Sequence, residues 1–358
     1  MQKIRGLDIL RGVAIILVML LHSSTFLITT RMGWIGVDLF FVLSGFLVSG
    51  LLFTEFKATG SIKSFRFFLR RGFKIYPLFY FVLLCHVIYY LVKQDNLPIN
   101  KLLPELFFYQ NYKEGIMGVS WSLAVEEHFY LFLLFVIWLM IKMGWMTNGK
   151  LMQSFFILIC LFCLVLRLYV FQQNGYGGLF VNDFPTHLRM DSLVFGVLIS
   201  YWYYFYKRQF VFVVRKLSWL LSFVALGLLI PFFLIERQSW LISTIGYSFL
   251  YVAFGIVLSI VICHQNTNIG KWVNFFLVKN FGDLLGWVGR QSYAIYLCHF
   301  LVGLAMLNLF KKTFPMAGSV YILLPVYLTV NILTGAFLTW VIEKPALRVR
   351  EKYFPAIF

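Results

Sequence analysis

Apolar residues run along this chain in blocks of about twenty, separated by short polar stretches. Within the blocks they do not alternate with period two, as the roughly ten-residue strands of a spanning barrel would. A helix rising about 1.5 Å per residue crosses some 30 Å of hydrocarbon in about twenty residues. Ten blocks meet that length, and the pattern predicts spanning helices at about 7–29, 34–53, 75–93, 119–141, 152–172, 189–206, 213–234, 241–263, 290–310 and 319–342. Helix is forced there, because lipid offers no partner to a backbone N–H or C=O. The longest breaks, 94–118, 173–188 and 264–289, are partly polar and have room for re-entrant or interfacial pieces.

Composition excludes a soluble protein. Of 358 residues, 61% are hydrophobic and 13% charged, far from the roughly 45–50% apolar and 25% charged of globular domains. The expected fold is an all-α integral membrane protein, a bundle of about ten transmembrane helices. The 31 basic and 14 acidic residues leave a net charge of +17. On a soluble chain that surplus would suggest nucleic acid; here it lies in loops and follows the positive-inside bias. Counted by side, 21 Lys and Arg fall with the N-terminus, nine fall opposite, and Arg11 lies within the first span. The expectation is therefore a multi-pass inner-membrane protein with both termini cytoplasmic, membrane lipids around it and no nucleic-acid partner. Lys3 and Arg5 before an apolar stretch look like a signal peptide, but Asp8, Arg11 and His22 interrupt that stretch and no small-residue cleavage site follows. It reads as a retained first helix. Cys160 and Cys163 lie inside an apolar run and read as ordinary helix residues.

Ionisable residues inside spans are costly and so mark candidate chemistry. Arg11 and His22 are eleven residues apart; eleven steps of about 100° return to within ~20° of one face, ~16 Å further along. Arg11 is either a snorkelling cation or a site residue. Asp38, in GWIGVDLFFVLSGF, and Glu126 and Glu127, in SWSLAVEEHFYLF, fall at a depth comparable with His22. An acid beside an imidazole fixes its tautomer and raises its basicity, as a general base acting on a hydroxyl requires; the alternative is a structural polar network. In SIKSFRFFLRRGFKIYP, Arg70, Arg71 and Lys74 belong to a basic and aromatic stretch. It is either an interfacial lipid-binding helix or a clamp for a multiply phosphorylated cytoplasmic ligand. Arg189 and Asp191 are expected to pair with each other, and His299 is either a second site residue or a packed one. No metal-ligand spacing, Walker A, G-x-S-x-G or Rossmann glycine pattern occurs.

Seven segments in chain order, RGLDILRGVAIILVMLLH, GWIGVDLFFVLSGF, RRGFKIYP, SWSLAVEEHFY, RMDSLVFG, SYAIYLCH and VIEKPALR, together resemble the acyltransferase-3 family of integral membrane O-acyltransferases that modify bacterial surface and secreted glycans. The resemblance covers nearly the whole chain. It implies ten helices, an acyl-CoA donor approached from the cytoplasm, with acetyl-CoA the expected co-substrate, and a glycan acceptor on the far side. O-antigen lipopolysaccharide, exopolysaccharide, peptidoglycan and nodulation-type oligosaccharides stay open as that acceptor, and the missing ligand spacing leaves no metal expected. The family's first-helix arginine and histidine match Arg11 and His22, and its acidic fourth-helix motif matches Glu126. Its basic motif matches Arg70 and Arg71, with Lys74 where an arginine is usual; lysine keeps the charge and loses the bidentate fork. The last expected span ends at 342 and the chain at 358, so one membrane-embedded domain over 1–358 with no appended soluble domain is expected.

The expected mechanism is O-acetyl transfer across the membrane. Coenzyme A phosphates dock on Arg70, Arg71 and Lys74, and the pantetheine arm passes Arg11. His22 takes the proton of a sugar hydroxyl, with Asp38 or Glu126 orienting the imidazole. Direct attack and an acetyl-His22 intermediate are equally allowed. A transporter or flippase with a buried charge relay is the alternative from another class; it would ordinarily show an inverted repeat, and none is visible.

Overall fold

The computed structural model describes residues 4–23, 32–93, 98–264, 281–313 and 320–355, and among these every regular element is helical. Positions 24–29 of the first expected span, 265–280 of the third polar break and 319 of the tenth span lie outside the described residues.

The helices are α1 (Arg5–Leu21), α2 (Ile35–Thr59), α3 (Ser64–Lys93), α4 (Ile99–Leu106), α5 (Trp121–Lys142), α6 (Gly149–Asn174), α7 (Thr186–Phe205), α8 (Lys207–Lys216), α9 (Ser218–Leu229), α10 (Pro231–Leu234), α11 (Tyr247–His264), α12 (Asp283–Arg290), α13 (Ser292–Thr313), α14 (Val320–Leu338) and α15 (Lys344–Tyr353). Among the described residues six stretches are long and apolar enough to cross a membrane: α2, α3, α5, α6, α11 with the turn before it, and α14 running on into α15. A seventh appears if the bent run from Lys207 to Leu234 counts as one span. Three other expected spans are helical but shorter or charged. α1 has 17 residues, α7 carries Arg189 and Asp191, and the apolar part of α13 runs Ser292–Met306.

Two expected spans change shape. The block at 75–93 is only the later part of α3, which begins at Ser64 and so absorbs the basic and aromatic stretch into one 30-residue helix. Pro77 sits inside it; its ring removes one backbone donor, a loss that packed neighbours can accommodate in a membrane helix. The block at 213–234 is broken, with a 75° bend between α8 and α9. Arg215, at the end of α8, donates to the Cys263 carbonyl at 2.8 Å and holds α8 against the end of α11.

Close helix crossings set the rotation of the bundle. A Cβ on Gly45 of α2 would lie 2.0 Å from the Leu193 carbonyl oxygen of α7, and one on Gly196 would lie 2.3 Å from that of Val42. Only glycine lets these backbones meet, as small residues do generally in membrane bundles. The same crossing turns Asp38 of α2 toward Arg189 and Ser192 of α7. Cys160 and Cys163 are buried and unbridged on α6.

Candidate functional site

Two cavities open along the α1 face that carries Arg11 and His22, and they meet at shared walls. The arginine cavity has a volume of about 110 Å³ and is lined by Arg11, Ser44, Arg71, Lys74, Ser122, Glu126, Tyr130, Ser292 and Tyr293 among others. The histidine cavity, about 160 Å³, is lined by Val18, Leu21, His22, Trp34, Gly118, Val119, Trp121, Leu179, Phe184, Arg189 and Arg237. Val37 and Tyr296 line both. The helical period thus places Arg11 and His22 on one face, at different levels.

In the arginine cavity, Glu126 accepts hydrogen bonds from the hydroxyls of Ser44 (3.2 Å) and Tyr130. The Arg71 guanidinium lies 5.1 Å from the Tyr130 ring centre and 5.8 Å from that of Phe67, within reach of a cation–π attraction. The buried Nε of Arg71 has no hydrogen-bond partner among the described residues. Two guanidinium groups in one small cavity, one of them with a nitrogen unpartnered among the described residues, suit an anionic or strongly polarised ligand.

The rest of the basic stretch is engaged by the C-terminal end of the chain. Arg70 donates to both carboxylate oxygens of Glu351, at 2.9 and 3.3 Å, and to the Phe354 carbonyl. Arg66 donates to the Pro355 carbonyl, and Lys74 pairs with Glu343. Of the three residues expected to clamp phosphate, only Arg71 and Lys74 line the cavity, and Arg70 is occupied by Glu351. The acids that answer this cluster sit almost three hundred residues away in sequence, where no local pattern connects them.

His22 ends α1. Its backbone N–H turns to the Met19 carbonyl (3.1 Å), and its ring Nδ1 meets the carbonyl of Val18 at 3.0 Å. This is a histidine side chain satisfying a carbonyl of the last helical turn. The same Nδ1 lies 3.2 Å from Nε2 of His299 on α13, and the ring centres are 5.0 Å apart. His299 is fully buried, and its Nδ1 is 2.7 Å from the Tyr296 carbonyl. The expected carboxylates do not reach His22. Asp38 is fully buried against Arg189, whose single nitrogen lies 2.8 and 2.9 Å from both carboxylate oxygens. Glu126 belongs to the arginine cavity instead. Glu126 thus lies with Arg11, at the other of the two levels and not at the depth of His22 expected for it, while Asp38 is turned to Arg189.

Arg189 does not pair with Asp191. Two residues apart on a helix point about 200° apart, so Arg189 turns to Asp38 while Asp191 takes Arg167 of α6 at 2.7 Å. The Arg189 guanidinium lies 3.8 Å from the Tyr247 ring centre. A third ion pair, Arg237 with Asp183 at 3.0 Å, stands at the same cavity. Arg167 went unremarked in the sequence, although an arginine inside an apolar run is the signal that singled out Arg11.

Tyr296 stands between the two cavities and lines both. Its hydroxyl bonds the Ser122 hydroxyl at 2.6 Å and donates to the Val119 carbonyl. Trp121 stacks on Phe184 with ring centres 4.2 Å apart and gives the histidine cavity a flat aromatic wall. The segment 117–120 at its rim is tied to α4, between the expected spans. Glu105 accepts from the Met117 N–H at 3.0 Å and meets the Ser120 hydroxyl at 2.7 Å. Burial pushes the Glu105 carboxyl up to about 7, against the opposing pull of Ser120 and Met117.

Comparison with known proteins gives this geometry a context. A family model described as an acyltransferase domain matches residues 4–342. The chain is 28% identical over 332 residues to the provisionally named O-acetyltransferase SACOL0978 of Staphylococcus aureus (strain COL), covering 84% of this chain and 51% of that protein. It is 26% identical over 327 residues to the peptidoglycan O-acetyltransferase OatA of Listeria monocytogenes, with 84% and 49% covered. Against the O-acetyltransferase OatA of Staphylococcus aureus (strain NCTC 8325) the identity is 25% over 377 residues, with 98% and 58% covered. The chain spans about half the length of these relatives. No solved structure matches it.

Proposed function

Because this multi-pass membrane chain belongs to the acyltransferase family whose domain it matches from residue 4 to residue 342, we propose that it is an O-acetyltransferase that moves an acetyl group from cytoplasmic acetyl-CoA to a hydroxyl of an extracytoplasmic glycan. The observation that carries the reading is the pair of cavities that share Val37 and Tyr296, one lined by arginine and lysine and the other by an imidazole. In this reading the chain crosses the inner membrane ten times with both termini cytoplasmic, as the 21-to-9 bias of basic residues suggests. The arginine cavity then faces the donor side and the histidine cavity the acceptor side.

Arg11, Arg71 and Lys74 bind the anionic and polarised parts of the donor. Arg70 joins them only where Glu351 gives way. In the transfer step His22 removes the proton from an acceptor hydroxyl at Nε2, and the hydroxyl oxygen bonds to the thioester carbonyl carbon. The C–S bond breaks, and the coenzyme A thiolate leaves and recovers the proton from His22. Among the described residues Nε2 has no hydrogen-bond partner, so its lone pair is available for this task. Asp38, held by Arg189, supports the bundle beside the acceptor cavity, and Glu126 shapes the donor cavity. Names of the relatives point to peptidoglycan among possible glycan acceptors.

The test is direct. Purified full-length protein is incubated with radiolabelled acetyl-CoA and peptidoglycan fragments, exopolysaccharide or lipopolysaccharide, and free thiol and labelled glycan are measured. Coenzyme A release that requires one of these acceptors supports the enzyme. Absence of release with every acceptor overturns it.

A further inference from the structure

We propose that His299 is the positioning residue of the transfer reaction, holding His22 as its Nδ1-protonated tautomer and accepting the hydrogen bond of the imidazolium formed when His22 takes the acceptor's proton. The inference rests on the functional reading above and deepens it.

The tautomers follow from the partners. His299 Nδ1 faces the Tyr296 carbonyl at 2.7 Å. A carbonyl oxygen only accepts, so this nitrogen carries hydrogen, and in the neutral ring Nε2 is then a bare acceptor. His22 Nδ1 faces two acceptors, the Val18 carbonyl at 3.0 Å and His299 Nε2 at 3.2 Å. It must be protonated, which leaves His22 Nε2 as the basic nitrogen. The two rings are fixed by contacts from different helices, with α1 supplying Val18 and α13 supplying His299 and Tyr296. Phe300 closes a further side of the His22 ring edge-on, with centres 5.9 Å apart.

This arrangement performs the duty usually given to a carboxylate beside a catalytic imidazole. When Nε2 of His22 gains a proton, Nδ1–H becomes a stronger donor, and the bare Nε2 of His299 at 3.2 Å accepts from it beside the Val18 carbonyl at 3.0 Å. A neutral acceptor gives less stabilisation of the cation than a carboxylate would, which leaves His22 ready to return the proton to the departing thiolate. His299 itself touches no reacting atom.

Two measurements on the full chain test this. In protein labelled with 15N-histidine, a 15N–15N coupling across the hydrogen bond should connect His22 Nδ1 with His299 Nε2, and His22 should show a bare Nε2. Kinetically, His299→Leu should lower kcat roughly 10- to 100-fold, the range of one charge-assisted hydrogen bond, with KM for acetyl-CoA unchanged. His299→Gln has a carbonyl able to accept from His22 and should recover most of that loss. Equal losses in the leucine and glutamine variants, a hydrogen on His22 Nε2, or absence of the coupling overturns the proposal. If His299→Leu does not fold, the wild-type coupling and tautomer decide. Coupling present with no acetyl transfer by the wild type overturns the functional reading and leaves the pairing standing. Transfer intact without coupling does the reverse.

Discussion

One guanidinium nitrogen of Arg189 lies 2.8 and 2.9 Å from the two carboxylate oxygens of Asp38, and both side chains are wholly buried. The pair joins α2 to α7 at the glycine crossing and is reinforced by Ser192, whose hydroxyl donates to Asp38 at 3.2 Å. Its charge is committed to structure, beside a cavity whose other wall carries the imidazole.

Removing one partner should therefore destabilise the bundle more than removing both. Asp38→Asn leaves a buried arginine uncompensated, at a cost of about 3–5 kcal/mol. The double variant Asp38→Asn, Arg189→Gln should melt at a higher temperature than Asp38→Asn alone. Thermal unfolding in detergent is the measurement, and a double variant no more stable than the single one contradicts the structural assignment.

His22→Gln keeps size and polarity and should leave expression and donor binding intact while transfer falls ~10²–10⁴-fold. The wild-type rate should also decline at acid pH as the imidazole takes a proton. Turnover near the wild-type rate in the variant would remove His22 from the chemistry.

Donor recognition should separate Arg71 from Arg70. Arg71 has a buried nitrogen without a partner among the described residues, whereas the fork of Arg70 is spent on Glu351. Arg71→Ala should raise KM for acetyl-CoA by about tenfold or more, in line with ~1.5–3 kcal/mol for a charged hydrogen bond. Arg70→Ala should raise it less. Initial rates across donor concentration give both values, and equal effects would mean that Glu351 releases Arg70 when donor binds.

Glu105 should make stability pH-dependent. Its carboxyl is pushed up to about 7 in the folded chain, above the ordinary value near 4.3. The folded state therefore holds a proton that the unfolded state has lost. Its contribution is full below the unfolded value and disappears as pH rises through about 7. The melting temperature should fall between pH 5 and pH 8, and Glu105→Gln should flatten that slope. An unchanged slope in the variant would assign the pH dependence elsewhere.

What the sequence alone determined is what depends on neighbours along the chain. Apolar length dictates helix wherever lipid denies the backbone a partner, and every regular element among the described residues is helical. The eleven-residue interval sets Arg11 and His22 on one face whatever surrounds them, and each lines its cavity. Tertiary structure decided which charge meets which. Depth along a span selects a layer of the membrane, and a layer holds several acids and bases; the rotation of each helix, set by contacts such as Gly45 against Leu193, chooses among them. So Asp38 went to Arg189, Asp191 to Arg167 and Arg70 to Glu351. His22 found its partner in His299, 277 residues away, because a hydrogen bond between helices is set by their packing and leaves no trace in local spacing.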